Sequence, residues 1–190
     1  MNKLKCFLKT CVLPVLFVCV FAASSLYAQT PFDIEQKVGV GFQLWNSGIN
    51  MFGVNARFWS EKRLGFEVGW VTNGESGRVG GYSINLRTHM INPSLLVTLA
   101  HVDTNNVYIR PYAGGGPNII YRKSDRDDDL TDYGKEVFVI GTKVGGQGFG
   151  GAEVTFKAVP QLSVGGDLGV YRYQNQTGRG LRFLVHYYLK

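Results

Sequence analysis

Beyond its first 28 residues the chain lacks cysteine, and it also lacks any long apolar run. The three cysteines are Cys6, Cys11 and Cys19, so the rest of the chain has no disulfide, no thiolate metal site and no cysteine nucleophile. No later stretch approaches the roughly 18 consecutive apolar residues that a membrane-spanning helix needs. Packing and backbone pairing must therefore hold the fold together.

Residues 1–28 are predicted to be a cleaved signal peptide. Lys3, Lys5 and Lys9 form a basic start, an apolar stretch follows over 12–23, and Ala28 supplies a small residue before the expected cleavage site. The apolar stretch is too short for a comfortable membrane helix. The predicted organisation is therefore an exported protein with a signal peptide, 1–28, and one mature domain, 29–190.

The mature domain has little excess of charge of either sign. The whole chain has 20 Lys and Arg residues against 14 Asp and Glu residues, but the signal peptide holds three of the basic ones and no acidic one. The remaining 17 basic and 14 acidic residues give a net charge of +3. This balance gives nucleic-acid binding no support, and no nucleic-acid partner or cofactor is expected.

Glycine is the residue that the mature domain has in excess. All 25 glycines follow residue 28 and make up about 15% of the domain, against an ordinary value of roughly 7%. They lie within strand-like runs instead of forming a linker. Glycine weakens an ordinary strand, but it suits a barrel wall that curves tightly or faces bulky interior groups.

Apolar and polar residues alternate with a period of two, which predicts β-strands. A bulge is expected near 91–93, and the register around 91–100 and 141–151 stays open. The connections 60–63, 101–106 and 157–161 are short, whereas 73–81 and 122–136 are longer. The predicted fold is all-β, an eight-stranded antiparallel up-and-down transmembrane β-barrel with strands at 38–45, 52–58, 64–70, 82–99, 107–121, 137–156, 162–173 and 180–189.

The distribution of residues between the two strand faces indicates that the apolar face points outward. Glycines and isolated charges alternate on the opposite face, which suits a narrow interior better than a solvated surface. Connections that are long at one end and short at the other are typical of a membrane barrel. An interfacial girdle is predicted from the large aromatic residues near strand ends, Phe58, Trp70, Phe156 and Tyr187.

The chain resembles a known family in three segments. The run IRPYAGGG over 109–116, the segment GAEV over 151–154 and the amphipathic last strand are similar to small eight-stranded outer-membrane proteins of the OmpX and OmpA transmembrane-domain type. The resemblance implies a monomer in the outer membrane, surrounded by outer-membrane lipid and lipopolysaccharide and inserted by the barrel-assembly machinery. It also implies a non-enzymatic role in envelope integrity or in contact with an extracellular ligand, through connections centred on Ser47, Gly77, Asp128 and Gln176.

Charged residues on the inward phase are expected to form an ion network. The interior of an eight-stranded barrel is just wide enough for side chains to fill it, and buried charges there must pair. A structural plug is the favoured interpretation, with a gated conduit for small solutes as the alternative. The predicted members are Arg57, Glu67, Arg87, Arg110, Lys143, Glu153, Asp167 and Arg182.

One loop has a weak resemblance to a calcium-binding loop. Asp125, Asp127, Asp129 and Glu136 occupy positions 1, 3, 5 and 12 of that register. Leu130 stands at position 6, where the sharp turn needs glycine, and no helices flank the loop. Chance patterning of a solvated loop is the preferred interpretation, so no metal site is predicted.

Catalysis has little support in the sequence. His89, His101 and His186 remain in the mature domain, but neither Ser83 nor Ser163 is adjacent to a histidine. A Ser-His-acid set could still converge in space. The glycine-rich run 146–151 resembles a dinucleotide motif only superficially, because no helix follows it, and a flexible or bulged strand is expected there.

Two alternatives from other classes remain open. A soluble periplasmic barrel of the lipocalin kind, binding a small apolar ligand, would place Phe42, Phe52, Phe66 and Val185 inside. An envelope lipid-modifying enzyme would need a serine and a histidine within hydrogen-bonding reach at the rim.

Overall fold

The computed structural model describes residues 38–46, 50–60, 63–79, 82–125, 140–173 and 176–189. The predicted signal peptide lies outside these residues. No helix among them is long and apolar enough to cross a membrane. The elements are the strands β1 Val38–Asn46, β2 Asn50–Trp59, β3 Leu64–Val79, β4 Tyr82–Thr98, β5 Val102–Asp103, β6 Val107–Ser124, β7 Gly141–Phe156, β8 Val159–Tyr173 and β9 Gln176–Leu189.

Eight long strands form a closed antiparallel barrel. Each long strand pairs with its neighbour in the chain, and β4 pairs with β6 across the two-residue strand β5. The first and last strands pair from Val38 opposite Leu189 to Asn46 opposite Leu181, which closes the sheet and leaves no free edge between them. The predicted fold class is confirmed.

The ladders are more regular than the sequence indicated. The pairs Ile91–Ile119 and Leu95–Gly115 share one register, so the bulge expected at 91–93 is wrong. Strand β7 is equally regular against β6 through its glycine-rich run, so that run is not bulged. An irregularity does occur between Thr155 and Phe156, where β7 turns into β8.

The strands reach unequal distances from the end of the barrel where β1 begins and β9 ends, here called the terminal end. β1 and β2 have 9 and 10 residues, whereas β3, β4, β6 and β7 have 16 to 18. The long connection predicted at 73–81 is therefore wrong, because Asn73 to Val79 pair with Thr88 to Tyr82. Hydrogen bonding in the ladder extends the sheet where a loop was expected, so β3, β4, β6 and β7 project at the opposite end, here called the far end.

The outer wall of the barrel is apolar, whereas charged side chains lie in its interior. Large hydrophobic side chains point outward and are well exposed, among them Phe42 at 71%, Leu95 at 69% and Leu168 at 68%. Arg57, Glu67 and His186 are buried in the interior. A soluble protein would not expose so large a contiguous apolar surface, so the belt indicates a wall immersed in lipid. The lipocalin-like alternative is wrong, because Phe42, Phe52, Phe66 and Val185 all lie on the exposed face.

Interior glycines make room for rings that fill the lumen. A side chain at Gly39 would begin 2.9 Å from the Tyr188 ring, and one at Gly65 would begin 2.5 Å from the Trp59 ring. These distances are too short for real carbon atoms. The glycine excess therefore follows from close packing inside a narrow barrel.

An outward residue near the middle of β2 provides a test of the lipid-facing belt. Replacing Val54 with arginine should lower the free energy of unfolding in phospholipid vesicles by about 2–4 kcal/mol, because the charge would lie near the bilayer midplane. The same change at Val38, at the terminal end of β1, should cost about 0–1 kcal/mol. Urea titration of vesicle-inserted protein measures both values, and equal costs at the two positions would contradict the belt.

Candidate functional site

A network of ion pairs occupies the barrel interior. It joins inward-facing side chains of β2, β3, β6, β7, β8 and β9, which the closure of the barrel brings together from distant parts of the chain. Its charged members are three arginines and three carboxylates, so their charges cancel. Those members are Arg57, Arg110, Arg182, Glu67, Glu153 and Asp167.

Glu67 is bonded by two arginines, one on the adjacent strand β2 and one on β9, three strands away in the sheet. Arg57 of the adjacent strand β2 donates its Nε to Glu67 Oε2 at 2.8 Å, and Arg182 of β9 bonds to the other carboxylate oxygen. Asn55 Nδ2 adds a third donor at 3.3 Å. Both oxygens of this fully buried carboxylate are therefore used, as a charge without access to water requires.

Asp167 connects Arg182 to a buried tyrosine. The Arg182 guanidinium donates Nη2 to Asp167 Oδ2 at 2.7 Å, and the Tyr112 hydroxyl donates to the same oxygen at 2.9 Å. Arg182 also lies over the Phe149 ring, with its central carbon 4.5 Å from the ring centroid. Aromatic faces thus cover the part of the guanidinium that carboxylates do not reach.

Glu153 forms a second centre nearer the terminal end. Its carboxylate lies 3.6 Å from both Arg57 and Arg110, and it accepts a hydrogen bond of 2.7 Å from the Tyr188 hydroxyl. His186 Nδ1 lies 3.3 Å from Glu153 Oε1, while Asn55 Nδ2 donates to His186 Nε2 at 2.9 Å. Arg57 therefore links the two carboxylate centres.

Apolar clusters flank the network along the barrel axis. On the far side are the buried residues Trp45, Met51, Val71, Met90 and Ile120. On the terminal side are Trp59, Leu96, Tyr112, Phe149 and Tyr188. Together with the network these clusters fill the lumen, and the arrangement is that of a plug held by charge pairing.

Six of the eight residues predicted for the interior network meet there. The prediction for Arg87 needs correction, because Arg87 lies exposed on the outer face of β4, while Leu86 and Met90 point inward. Lys143 has the inward phase but is half exposed near the far end, and no ion pair joins it to a described residue. The projecting part of β4 has its apolar residues on the inward face. The sequence pattern had assigned apolar residues to the outward face, so Arg87 was wrongly placed inside.

Neutral partners of the network were not predicted from the sequence. Tyr112, Tyr188 and Asn55 each bond to a charged member, and Gln43 Oε1 lies 3.4 Å from Arg182 Nη1. The period-two phase places Asn55 and Gln43 inside. No sequence signal indicates which charged residue each would contact, because that depends on the closure of the barrel.

The calcium-loop candidates Asp127, Asp129 and Glu136 lie outside the described residues. Asp125 is described, and its two carboxylate oxygens accept hydrogen bonds of 2.9 Å from the backbone and side-chain nitrogens of Asn85. No group of three or more potential metal ligands occurs in the part of the chain that the structure describes. Asp125 fixes the end of the β4–β6 ladder.

A serine, a histidine and an acid do converge, but inside the barrel. Ser163 lies directly opposite His186, and His186 contacts Glu153. The Ser163 hydroxyl, however, bonds to Thr155 Oγ1 at 2.6 Å, and His186 Nε2 faces Asn55. All three side chains are buried. This geometry does not provide a nucleophile next to its base or a path for substrate.

Removing one carboxylate should reveal how far the fold depends on the network. Glu67→Gln leaves Arg57 and Arg182 with too little negative charge, and we expect the free energy of unfolding to fall by about 3–5 kcal/mol. Urea titration in phospholipid vesicles measures the change.

The matched control is Glu75→Gln, on the inward phase of the same strand. Glu75 is half exposed near the far end and accepts a hydrogen bond from Asn73. Its replacement should cost less than about 1 kcal/mol. A loss at Glu67 no larger than at Glu75 would show that the network does not hold the barrel.

Comparison with known proteins supports the architecture. No family model and no curated protein matches the sequence. Among solved structures, the N-terminal β-barrel domain of OprF from Pseudomonas aeruginosa has a TM-score of 0.54 at 10% identity, over 81% of this chain and 98% of that chain. Neisserial surface protein A has a TM-score of 0.50 at 13% identity, over 80% and 94% of the two chains.

A third solved structure has a lower structural similarity to this chain. The outer-membrane enzyme PagL has a TM-score of 0.40 at 12% identity, over 80% of this chain and 99% of that chain, too low a score to support an argument. The first two structures and the closed ladder agree on the architecture. The chain has the fold of the small eight-stranded outer-membrane β-barrels.

Proposed function

We propose that this protein is a monomeric, non-enzymatic barrel of the bacterial outer membrane, inserted by the barrel-assembly machinery, that supports the envelope or makes contacts at the cell surface. The observation that carries the proposal is the inverted polarity of the barrel. Its wall exposes large apolar side chains, and its lumen is filled by a neutral ion network between two apolar clusters. Such a body is stable in lipid and offers a small solute no open path.

The far end is the part that would make contacts outside the membrane. A strand tilted at about 45° needs roughly 9 to 11 residues to cross the bilayer. β1 and β2 match that length, whereas β3, β4, β6 and β7 exceed it by several residues. Their paired ends would stand above the membrane as a rigid sheet, and rigid surfaces lose little entropy on binding.

The enzyme alternative has one observation in its favour, the convergence of Ser163, His186 and Glu153. Their burial, and the bond between Ser163 and Thr155, argue against it. The rim location that a lipid-modifying enzyme would need is also not met, because these residues lie inside the barrel between β7, β8 and β9. The non-enzymatic role is therefore the one that the geometry favours.

Envelope fractionation tests the location. The protein should enrich with outer membranes and leave them only with detergent. The detergent-solubilised protein should migrate differently on a gel before and after boiling, because a closed barrel resists unfolding until it is heated. Release into the soluble fraction without detergent would overturn the proposal.

Labelling of single cysteines tests which end faces outward. Because all native cysteines lie in the predicted signal peptide, one introduced thiol in the mature domain would be unique. In intact cells a membrane-impermeant thiol reagent should label Ser76→Cys at the far end. It should not label Asn105→Cys, an exposed position at the terminal end, until the outer membrane is permeabilised. The opposite pattern would place the far end in the periplasm.

A further inference from the structure

Three rings form a ladder on the outer wall where β3, β4 and β6 leave the apolar belt. The His89 ring lies between the rings of Trp70 and Tyr121, with centroid distances of 6.0 and 6.4 Å and interplanar angles of 8° and 16°. Trp70 and Tyr121 are both exposed on the outward face. Trp70 is paired with Val54 inside the apolar belt, so the three rings run from the belt toward the lipid headgroups, and His89 and Tyr121 are the two nearest that level.

Two cations lie directly beyond this ladder, toward the far end. Arg87 and Lys123 are the next outward residues after His89 and Tyr121, and they are paired directly opposite each other across β4 and β6. Both side chains are exposed. Like charges in this position lie within about 5 Å at their Cβ atoms and destabilise a sheet unless something neutralises them.

The described residues provide no counter-ion for this pair. No ion pair joins Arg87 or Lys123 to another described side chain. Asp125 follows the last residue of β6 and is exposed, and both of its oxygens accept hydrogen bonds from Asn85. On the other side of Arg87 the wall is Gly74, where an added Cβ would meet nothing within 4 Å. Within the part of the chain that the structure describes, the pair therefore has no ionic partner, and the wall beside Arg87 is open at Gly74.

We propose that Arg87 and Lys123 bind the phosphate group of a lipid headgroup in the leaflet around the far end, with its acyl chains along the belt below. Two adjacent cations match the charge of a phosphate, and the guanidinium can donate two parallel hydrogen bonds to it. His89 and Tyr121, one outward position below the pair on each strand, lie where the headgroup joins the acyl chains. This inference rests on the proposed membrane location and adds a defined lipid site to it.

The position of the pair favours a lipid over a free phosphate ion. The outward face of β4 changes within a few residues from the apolar Ile91 through His89 to Arg87. Its inward face changes from polar Asn92 to the mainly apolar set Met90, Thr88, Leu86 and Ile84. At the level of this pair, β4 therefore has charged residues on its outward face and mainly apolar residues on its inward face, as a sheet exposed to water does. A cation pair at that boundary lies at the height of the headgroups.

The test uses the full mature protein in nanodiscs of zwitterionic phosphatidylcholine, titrated with bisphosphorylated lipid A. Native mass spectrometry measures the lipid that stays bound. Two surface cations contribute about 30-fold to the general attraction of an anionic lipid. Because the pair would also coordinate the phosphate directly, Arg87→Gln/Lys123→Gln should weaken binding by more than this. The matched control Arg172→Gln/Arg179→Gln removes two outward cations of β8 and β9 that are not directly opposite each other, and it should weaken binding by no more than about 30-fold.

Two further arms identify the ligand. Dephosphorylated lipid A should bind wild type and the double variant equally, and millimolar inorganic phosphate should not displace bound lipid A. Equal losses in the two double variants, or no loss in either, would overturn the site, and displacement by inorganic phosphate would make it a site for a free anion. If the Arg87/Lys123 variant still enriches in outer membranes and keeps its heat-dependent mobility, a failure of this inference leaves the proposed location standing.

Discussion

The structure depends on the need to neutralise charge inside a dry lumen. Three arginines and three carboxylates are enclosed by a wall of eight strands, and each charge is compensated by a partner on another strand. Because water does not reach most of these groups, their pairing determines which strands must come together, and the barrel cannot close in another register without separating them. The lipid belt and the interior network thus follow from the same alternation of residues, which point outward and inward in turn along each strand.

Packing around the network explains the unusual composition. Rings of Trp59, Tyr112 and Tyr188 fill the lumen beside the charges, and glycines on neighbouring strands leave room for Trp59 and Tyr188. Pro111, which removes a ladder donor, lies just beyond the last pair of β4 with β6, where its carbonyl accepts a bond from the Leu99 backbone nitrogen. The backbone N–H that Pro111 lacks would therefore lie at the end of the β4–β6 hydrogen-bond ladder, and a proline is tolerated there.

The projecting strands give the far end a paired β-sheet in a region where the sequence predicted a loop. Part of what the sequence indicated as loop, residues 73–79, is ladder, so the far end has a paired sheet with charged residues on its outer wall. Rigid ladder positions fix the spacing of Arg87 and Lys123 in a way that a loop could not. This is why the proposed lipid site rests on strand residues and not on the connections between strands.

The sequence by itself determined the number of long strands, the antiparallel order and the assignment of apolar faces to the outside, because a period of two is a local property of the chain. It also placed Arg57, Glu67, Arg110, Glu153, Asp167 and Arg182 on inward faces. Only the tertiary structure decided which of these charges meet. Glu67 and Arg182, for example, are 115 positions apart in the sequence and are joined by closure between β1 and β9.

Arg87 shows where the local pattern stopped being sufficient. β4 has apolar residues on both faces, inward at Leu86 and Met90 and outward at Ile91 and Leu95, so its hydrophobicity does not fix its phase. The continuous pairing with β3 and β6 fixes it, and it places Arg87 outside. Where a strand passes from lipid into water the preferred face for apolar residues inverts, and the level of that boundary is set by the assembled barrel and not by any one strand.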